Sequence, residues 1–205
     1  MFITMLFENP RTFAIIVLMV VFSVCLHEYM HAYAALKMGD PTAADRGHLT
    51  MNPFKQMGWV SLLMLLFIGL AWGQVPVNPY NLETRKKRIT VALAGVSANL
   101  LLFVVFTLLG YLTAKFSGNF FAAQMLCYGA VLNVVLLIIN LLPVPGFDGF
   151  KVVMEFFPIR SQQAAERANI ACFIVMLLIF LGIDYVYQFA GIAVGTLLNI
   201  LGAIS

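Results

Sequence analysis

The sequence has 205 residues, of which 62% are hydrophobic and 10% charged, with a formal net charge of +3. An average soluble domain has about 25% charged residues, so this composition excludes an ordinary soluble domain. It predicts a single integral-membrane domain over residues 1–205, in contact with the lipid bilayer. No Lys/Arg cluster alternates with aromatic residues on a polar face, so nucleic acid is not an expected partner. The three cysteines lie in apolar segments without C-x-x-C spacing, which favours neither disulfides nor a thiolate metal site.

The first apolar segment, residues 12–36, is about 25 residues long. That length is enough to cross a hydrocarbon core about 30 Å thick. The residues before Arg11 contain no basic region and no cleavage site, so we expect the segment to be retained rather than removed as a signal peptide. It carries His27, Glu28 and His31 in a His-Glu-x-x-His pattern.

Two histidines four residues apart project from one face of a helix, which is the geometry of two zinc ligands. Glu28 directly follows the first histidine and could take a proton from a metal-bound water. The alternative is a chance pattern of polar packing residues near a helix end. Because ionisable groups are costly inside a membrane and usually functional there, the sequence favours a metal site.

Between the first and second spans the apolar pattern breaks into turns. Residues 49–51 could form a short extended piece. The stretch 58–73 is apolar but only about 16 residues long, which is short for a membrane span. Residues 75–82 contain two prolines and are expected to be extended and non-helical. For His48, a loop or interfacial position is a simpler interpretation than a ligand role.

Four further apolar segments follow the basic run at 85–88, and the last of them is weaker because it contains glycine. They cover residues 89–112, 120–142, 164–181 and 185–204. Together with the first segment they predict an all-α polytopic membrane bundle of about five spans. In this prediction the core covers residues 12–155 and the C-terminal helices residues 164–204.

The span at 120–142 ends in a sequence that breaks a helix. Pro143, Pro145 and Gly146 free backbone groups that lipid cannot satisfy, which is tolerated only where protein or a water-filled cavity meets them. Asp148 follows at the bend, and two histidines plus one carboxylate leave a fourth zinc position open, as catalytic sites require. By itself the segment could equally be a Pro-Gly turn with a solvated aspartate, but beside His-Glu-x-x-His a ligand role is favoured.

Membrane topology gives a separate constraint. The histidines lie near the C-terminal end of their span and Asp148 just past the end of its own, so an even number of crossings must separate them if they share a metal. The stretch 58–73 is therefore expected to be re-entrant or interfacial. Most basic residues then lie on one side, with Arg11 and Lys115 on the other. The positive-inside tendency predicts a multi-pass plasma-membrane protein whose N-terminus is outside and whose site faces the cytoplasm.

Two motifs resemble those of the site-2 proteases, a family of intramembrane zinc metalloproteases: His27-Glu28-x-x-His31 and Asn140-x-x-Pro143-x-Pro145-x-x-Asp148-Gly149. Residues 39–41, 47–53 and 76–82 are similar to the compact prokaryotic branch, so the resemblance covers about residues 12–155. The chain departs from the family pattern at three positions, none of them a ligand. They are Val96, Phe147 and His48, where proline, leucine and arginine are common in the family.

This resemblance implies that His27, His31 and Asp148 bind one zinc ion per chain. It also implies that Glu28 is the general base and that Asn140 lies in the active site, where its amide could donate to a developing oxyanion. The implied reaction is hydrolysis of peptide bonds within or near the transmembrane segments of membrane-protein substrates.

Two other classes of function stay open on the sequence. One is a zinc-binding membrane protein, a transporter or scaffold, that does not hydrolyse anything and does not need Glu28. The other is a membrane zinc protease of a different family whose third ligand is a glutamate, for which Glu155 is the best-placed candidate. A purely structural membrane protein would bind no stoichiometric zinc.

Overall fold

The computed structural model describes residues 2–157 and 181–202, with isolated residues 170, 174, 175, 177 and 178 between them. The described residues form helices and no strand, which confirms the predicted all-α fold. The helices are α1 (Thr4–Glu8), α2 (Pro10–Met38), α3 (Thr42–Asp45), α4 (Pro53–Gln56), α5 (Gly58–Ile68), α6 (Arg85–Leu112), α7 (Phe120–Leu141), α8 (Asp148–Phe156) and α9 (Ile183–Ile200). A 3-10 turn at Pro79–Asn81 precedes α6, and a π turn at Thr113–Ser117 extends it.

Within the described residues, three helices are long and apolar enough to cross a membrane: α2, α7, and α6 together with its π turn. They coincide with the first three predicted spans. Helix α5 has 11 residues, or about 16 Å at 1.5 Å per residue, half of a hydrocarbon core, which agrees with the prediction that 58–73 does not span. Of the other two predicted spans, 164–181 falls largely outside the described residues, and 185–204 overlaps α9, which is not among these three helices.

Local sequence explains where the spanning helices begin and end. Asn9 accepts a hydrogen bond from the Thr12 amide, and proline occupies the first position of α2. Gly39, with φ of 106°, ends that helix in the left-handed conformation that favours glycine. At the N-terminal ends of α6 and α7, the side chains of Thr84 and Asn119 accept backbone amide hydrogen bonds as Asn9 does. Each cap satisfies an amide that the first turn of a helix leaves without a partner.

Helix α6 packs against α2, α7 and α8, and α9 packs against α7 through Ala190, Val134 and Val135. A polar contact ties two of the spanning helices together inside the apolar layer. The Asn133 amide donates to Ser23 Oγ at 2.9 Å and to the Gly129 carbonyl at 2.8 Å. Because lipid offers no competing partner, such a bond helps to fix how α7 lies against α2.

The connection between α2 and α6 is ordered by a buried carboxylate. Asp40 accepts hydrogen bonds from the Asn78 amide at 2.7 Å, from Asn81 Nδ2 at 2.8 Å and from Thr42. Burial by itself would raise the pKa of Asp40, but the hydrogen bonds outweigh it and lower that pKa below its ordinary value. The carboxylate therefore holds the end of α2 against the segment that leads into α6.

The pieces predicted to be extended are irregular rather than paired strands. Residues 49–50 form a bend, and residues 70–78 are non-helical with Asn78 in an extended conformation. Side chains hold both pieces in place. Gln56 Nε2 donates to the carbonyls of His48 and Thr50, and Ser61 Oγ bonds both the amide and the carbonyl of Trp72. His48 thus lies in a loop, where the sequence placed it.

Candidate metal centre

Helix α2 carries three buried polar side chains near its C-terminal end: the adjacent His27 and Glu28, and His31 one turn later. The rings of the two histidines are 4.7 Å apart, and their Nε2 atoms are 3.0 Å apart. The i, i+4 spacing in an uninterrupted helix gives this arrangement directly. Both imidazoles therefore direct the same nitrogen towards one point.

Asp148 joins them from 117 residues further along the chain. The proline-containing break after α7 turns the backbone, and α8 begins at Asp148. The break is tight, because a β-carbon on Gly149 would overlap the carbonyl group of Leu141. Asp148 Oδ2 lies 3.0 Å from His27 Nε2 and 2.9 Å from His31 Nε2. Because the break is so tight, position 149, directly after the third candidate ligand, needs glycine.

Lys151 orients this carboxylate. Its Nζ donates to Asp148 Oδ1 at 2.8 Å, one turn along α8, so that Oδ2 is left to the imidazoles. The nearby ammonium of Lys151 favours the ionised form of Asp148 and so lowers its pKa. The side chain is thus an ionised carboxylate, the form that can bind a metal.

The chemistry of the three converging atoms fits a cation. His31 Nδ1 donates to the Val91 carbonyl of α6 at 2.8 Å, which leaves a lone pair on Nε2. That lone pair faces a carboxylate oxygen and a second imidazole nitrogen, each about 3 Å away. Ligands about 2.0–2.2 Å from one tetrahedral zinc ion lie on the order of 3.3 Å apart. His27, His31 and Asp148 can therefore bind one zinc ion with little adjustment.

Two glycines allow neighbouring backbone to approach the site. A β-carbon on Gly95 of α6 would overlap Nε2 of both His27 and His31, and one on Gly73 would overlap the Glu28 side chain. The sequence analysis gave neither glycine a role at the metal. Glycine in an apolar segment is a weak signal, because most such residues serve helix packing.

A cavity of about 1340 Å³ opens beside the three candidate ligands, and both Glu28 and Asn140 line it. Glu28 has no hydrogen-bond partner in the described part of the chain, so its carboxylate can accept a proton. One N–H of the Asn140 amide bonds the Leu136 carbonyl at 3.0 Å, which leaves the other for the cavity. Apolar side chains from α2 and α7 and the irregular stretch 69–77 form much of the remaining wall.

Glu155, the alternative third ligand, lies elsewhere. Its Oε1 accepts from Arg88 Nε at 2.8 Å, and Arg88 also donates to the Leu82 carbonyl. This ion pair joins α8 to the beginning of α6 at the edge of the cavity. The structure thus brings Asp148, and not Glu155, to the two imidazoles.

Several known zinc metalloproteases are similar in sequence to this chain. Residues 113–183 match the model of peptidase family M50. The chain is 32% identical over 173 residues to "Putative zinc metalloprotease YwhC" of Bacillus subtilis, an alignment that covers 80% of this chain and 79% of that protein.

Two similar proteins come from mycobacteria, and both are called "Putative zinc metalloprotease Rip2". The one from Mycolicibacterium smegmatis is 34% identical over 78% of this chain and 63% of its own length. The one from Mycobacterium tuberculosis H37Rv is 30% identical over 84% of this chain and 70% of its own length. No solved structure gives a significant match.

Proposed function

This chain belongs to peptidase family M50, the site-2 proteases, and we propose that it hydrolyses peptide bonds within or near the membrane-spanning segments of other membrane proteins. It is a zinc metalloprotease and an integral membrane protein. One observation carries the proposal about its substrates. The group of His27, His31 and Asp148, with Glu28 beside it, adjoins a largely apolar cavity between helices long enough to cross a membrane.

The residues divide the chemistry between them. Zinc, when bound by His27, His31 and Asp148, supplies Lewis acidity to the scissile carbonyl and to the attacking water. Glu28 accepts the proton of that water on its carboxylate and delivers it to the leaving amine. Asn140 donates its second amide N–H to the oxygen on which negative charge develops.

The substrate class follows from the surroundings of the site. A transmembrane helix hides its peptide carbonyls in its own hydrogen bonds, so a substrate must unwind before it can be cut. The apolar cavity wall suits apolar side chains, and the non-helical stretch 70–78 along the cavity offers an edge with which an unwound segment could pair. We propose that the partners are membrane-spanning proteins and the bilayer, without a role for nucleic acid.

The charge distribution supports an orientation. The basic residues at the ends of α2 and α6 nearest the site, among them Lys37 and the run 85–88, lie on the same side of the bundle. Arg11 and Lys115 lie at the opposite ends of the spanning helices. By the positive-inside tendency the active site faces the cytoplasm, in the plasma membrane.

The experiment that tests this function combines zinc content with cleavage. Zinc is measured by elemental analysis on purified wild type, Glu28→Gln and Asp148→Ala, and cleavage on a generic single-span substrate. We expect about one zinc per chain in the wild type and in Glu28→Gln, less in Asp148→Ala, and a fall in turnover of Glu28→Gln of roughly 100-fold or more. Glu83→Gln, at a side chain 80% exposed, is the matched control and should stay active.

The other outcomes decide between the alternatives. Zinc in the wild type without cleavage would support a metal-binding membrane protein in place of a protease. Cleavage that survives Glu28→Gln would contradict the role of Glu28 as general base. Absence of zinc from the wild type would overturn the metal centre itself.

A further inference from the structure

One face of α6 carries three residues spaced by four: Val91, Gly95 and Asn99. The carbonyl of Val91 accepts from His31, and Gly95 lies against both candidate histidine ligands. Residues four apart lie on one face of a helix, about 6 Å from each other along its axis. Asn99 is therefore one turn beyond the metal centre, on the side away from the charged end of α6, and it lies in the wall of the same cavity.

The amide of Asn99 is buried and has no hydrogen-bond partner among the described residues. The residue is 0% exposed, and neither Nδ2 nor Oδ1 makes a hydrogen bond to any part of the chain that the structure describes. Asn133 is also 0% exposed and also lies in a spanning helix, but its Nδ2 makes two hydrogen bonds. Asn133 thus has a structural role that Asn99 lacks. An unpaired amide in a low-dielectric interior is costly, so a partner from outside the folded chain is expected.

We propose that Asn99 binds a backbone peptide group of the unwound substrate, on the membrane-interior side of the scissile bond. This inference rests on the proposed function. The NH2 group of a side-chain amide can donate to a peptide C=O, and its oxygen can accept from a peptide N–H. Val20, Val24 and Val135, which line the same cavity, are apolar and cannot supply such partners. The peptide bond that Asn99 meets lies about two residues from the cut, because 6 Å corresponds to about two residues of extended chain.

The first variant to test is Asn99→Leu, which keeps the branched shape of the side chain and removes the amide. Removing an unpaired buried polar group is neutral or stabilising, so zinc content and the thermal midpoint in detergent should equal or exceed those of the wild type. Cleavage measured as kcat/KM should fall about tenfold, the effect of roughly one hydrogen bond. Asn133→Leu is the matched control and should lower the thermal midpoint. Asn99→Ala serves as a second variant if Asn99→Leu is poorly folded.

Binding is measured separately from hydrolysis. In the Glu28→Gln background, Asn99→Leu should weaken binding of a single-span substrate by about the same tenfold factor. Replacing single substrate peptide bonds by esters removes one N–H at a time. An ester about two residues from the cut should slow the wild type and leave Asn99→Leu unchanged.

Three results would overturn the proposal. Unchanged cleavage and binding in Asn99→Leu would mean that the amide holds only a buried water. Loss of zinc, or of thermal stability as in Asn133→Leu, would assign Asn99 to the fold. If the wild type binds and cleaves no membrane substrate, the proposed function fails, and this inference fails with it. The first two results, obtained with an active wild type, contradict only the role of Asn99.

Discussion

Gly95 lies where α6 passes closest to the two imidazoles, and its missing side chain is what lets the helix approach. A β-carbon there would overlap Nε2 of His27 and of His31. We predict that Gly95→Ala displaces the imidazoles and lowers zinc content well below one per chain, measured by elemental analysis. Gly191→Ala, on α9 with nothing within 4 Å of the added carbon, should keep its zinc. Full zinc occupancy in Gly95→Ala would contradict the described approach of α6.

Asp40 predicts a specific dependence of stability on pH. Its pKa is lower in the folded protein than the value of about 3.9 in an unfolded chain, so its stabilising effect is complete above about pH 5 and is lost as the pH falls further. We expect Asp40→Asn to destabilise the protein by about 1.5–3 kcal/mol near neutral pH. The difference in thermal midpoint between wild type and Asp40→Asn should shrink between about pH 5 and pH 3.

A matched control for Asp40 is available on the next helix. Asp45 is exposed and accepts no side-chain hydrogen bond within the described residues, so Asp45→Asn should change the midpoint little at any pH. A constant difference between wild type and Asp40→Asn down to pH 3 would mean that the carboxylate is not held in its ionised form by the loop.

At the scale of elements, the stretch between α5 and α6 is held at both ends while its middle lines the cavity. The Gln74 amide donates to the Gln56 carbonyl, and Asn78 and Asn81 bond Asp40. We predict that replacing residues 74–77 with Gly-Ser-Gly-Ser leaves zinc content unchanged, because no candidate ligand is in this stretch. Cleavage should fall, because a flexible segment must first be ordered before a substrate strand can pair with it.

The same replacement distinguishes a substrate edge from an ordered loop. Keeping Gly73 preserves the close contact with Glu28, and keeping Asn78 and Asn81 preserves the anchor at Asp40. Cleavage that is unchanged in the replaced protein would remove the idea that substrates pair with this stretch.

At the scale of the whole molecule, the orientation in the membrane can be tested with single cysteines. Tyr80, before α6, is 92% exposed, and Phe116, after α6, is 77% exposed. Because α6 lies between them, one membrane crossing separates the two residues. In a variant without its three native cysteines, we predict that Phe116→Cys reacts with a membrane-impermeant maleimide in intact cells and that Tyr80→Cys reacts only after permeabilisation. The reverse labelling would place the active site outside, and labelling of both in intact cells would mean that α6 does not cross.

The sequence by itself determined the features that depend on neighbours along the chain. Composition decided that the protein is a membrane protein, and the i, i+4 spacing of His27 and His31 decided that two candidate ligands share a helix face. The prolines before Asp148 ended α7 where the sequence predicted a break. Each of these follows from helix geometry or backbone chemistry within a few residues, so no knowledge of the other helices was needed.

Only the tertiary structure decided which groups meet across helices. Four features depend on the depth and rotation of α6 and α8 against α2. They are the contact of Asp148 with the imidazoles, the His31–Val91 hydrogen bond, the close approach of Gly95, and the Asn99 amide that has no partner among the described residues. An apolar helix shows little difference between its lipid-facing and protein-facing sides, since both are apolar. Its sequence therefore fixes that the helix spans, but not which residues it turns towards the metal centre.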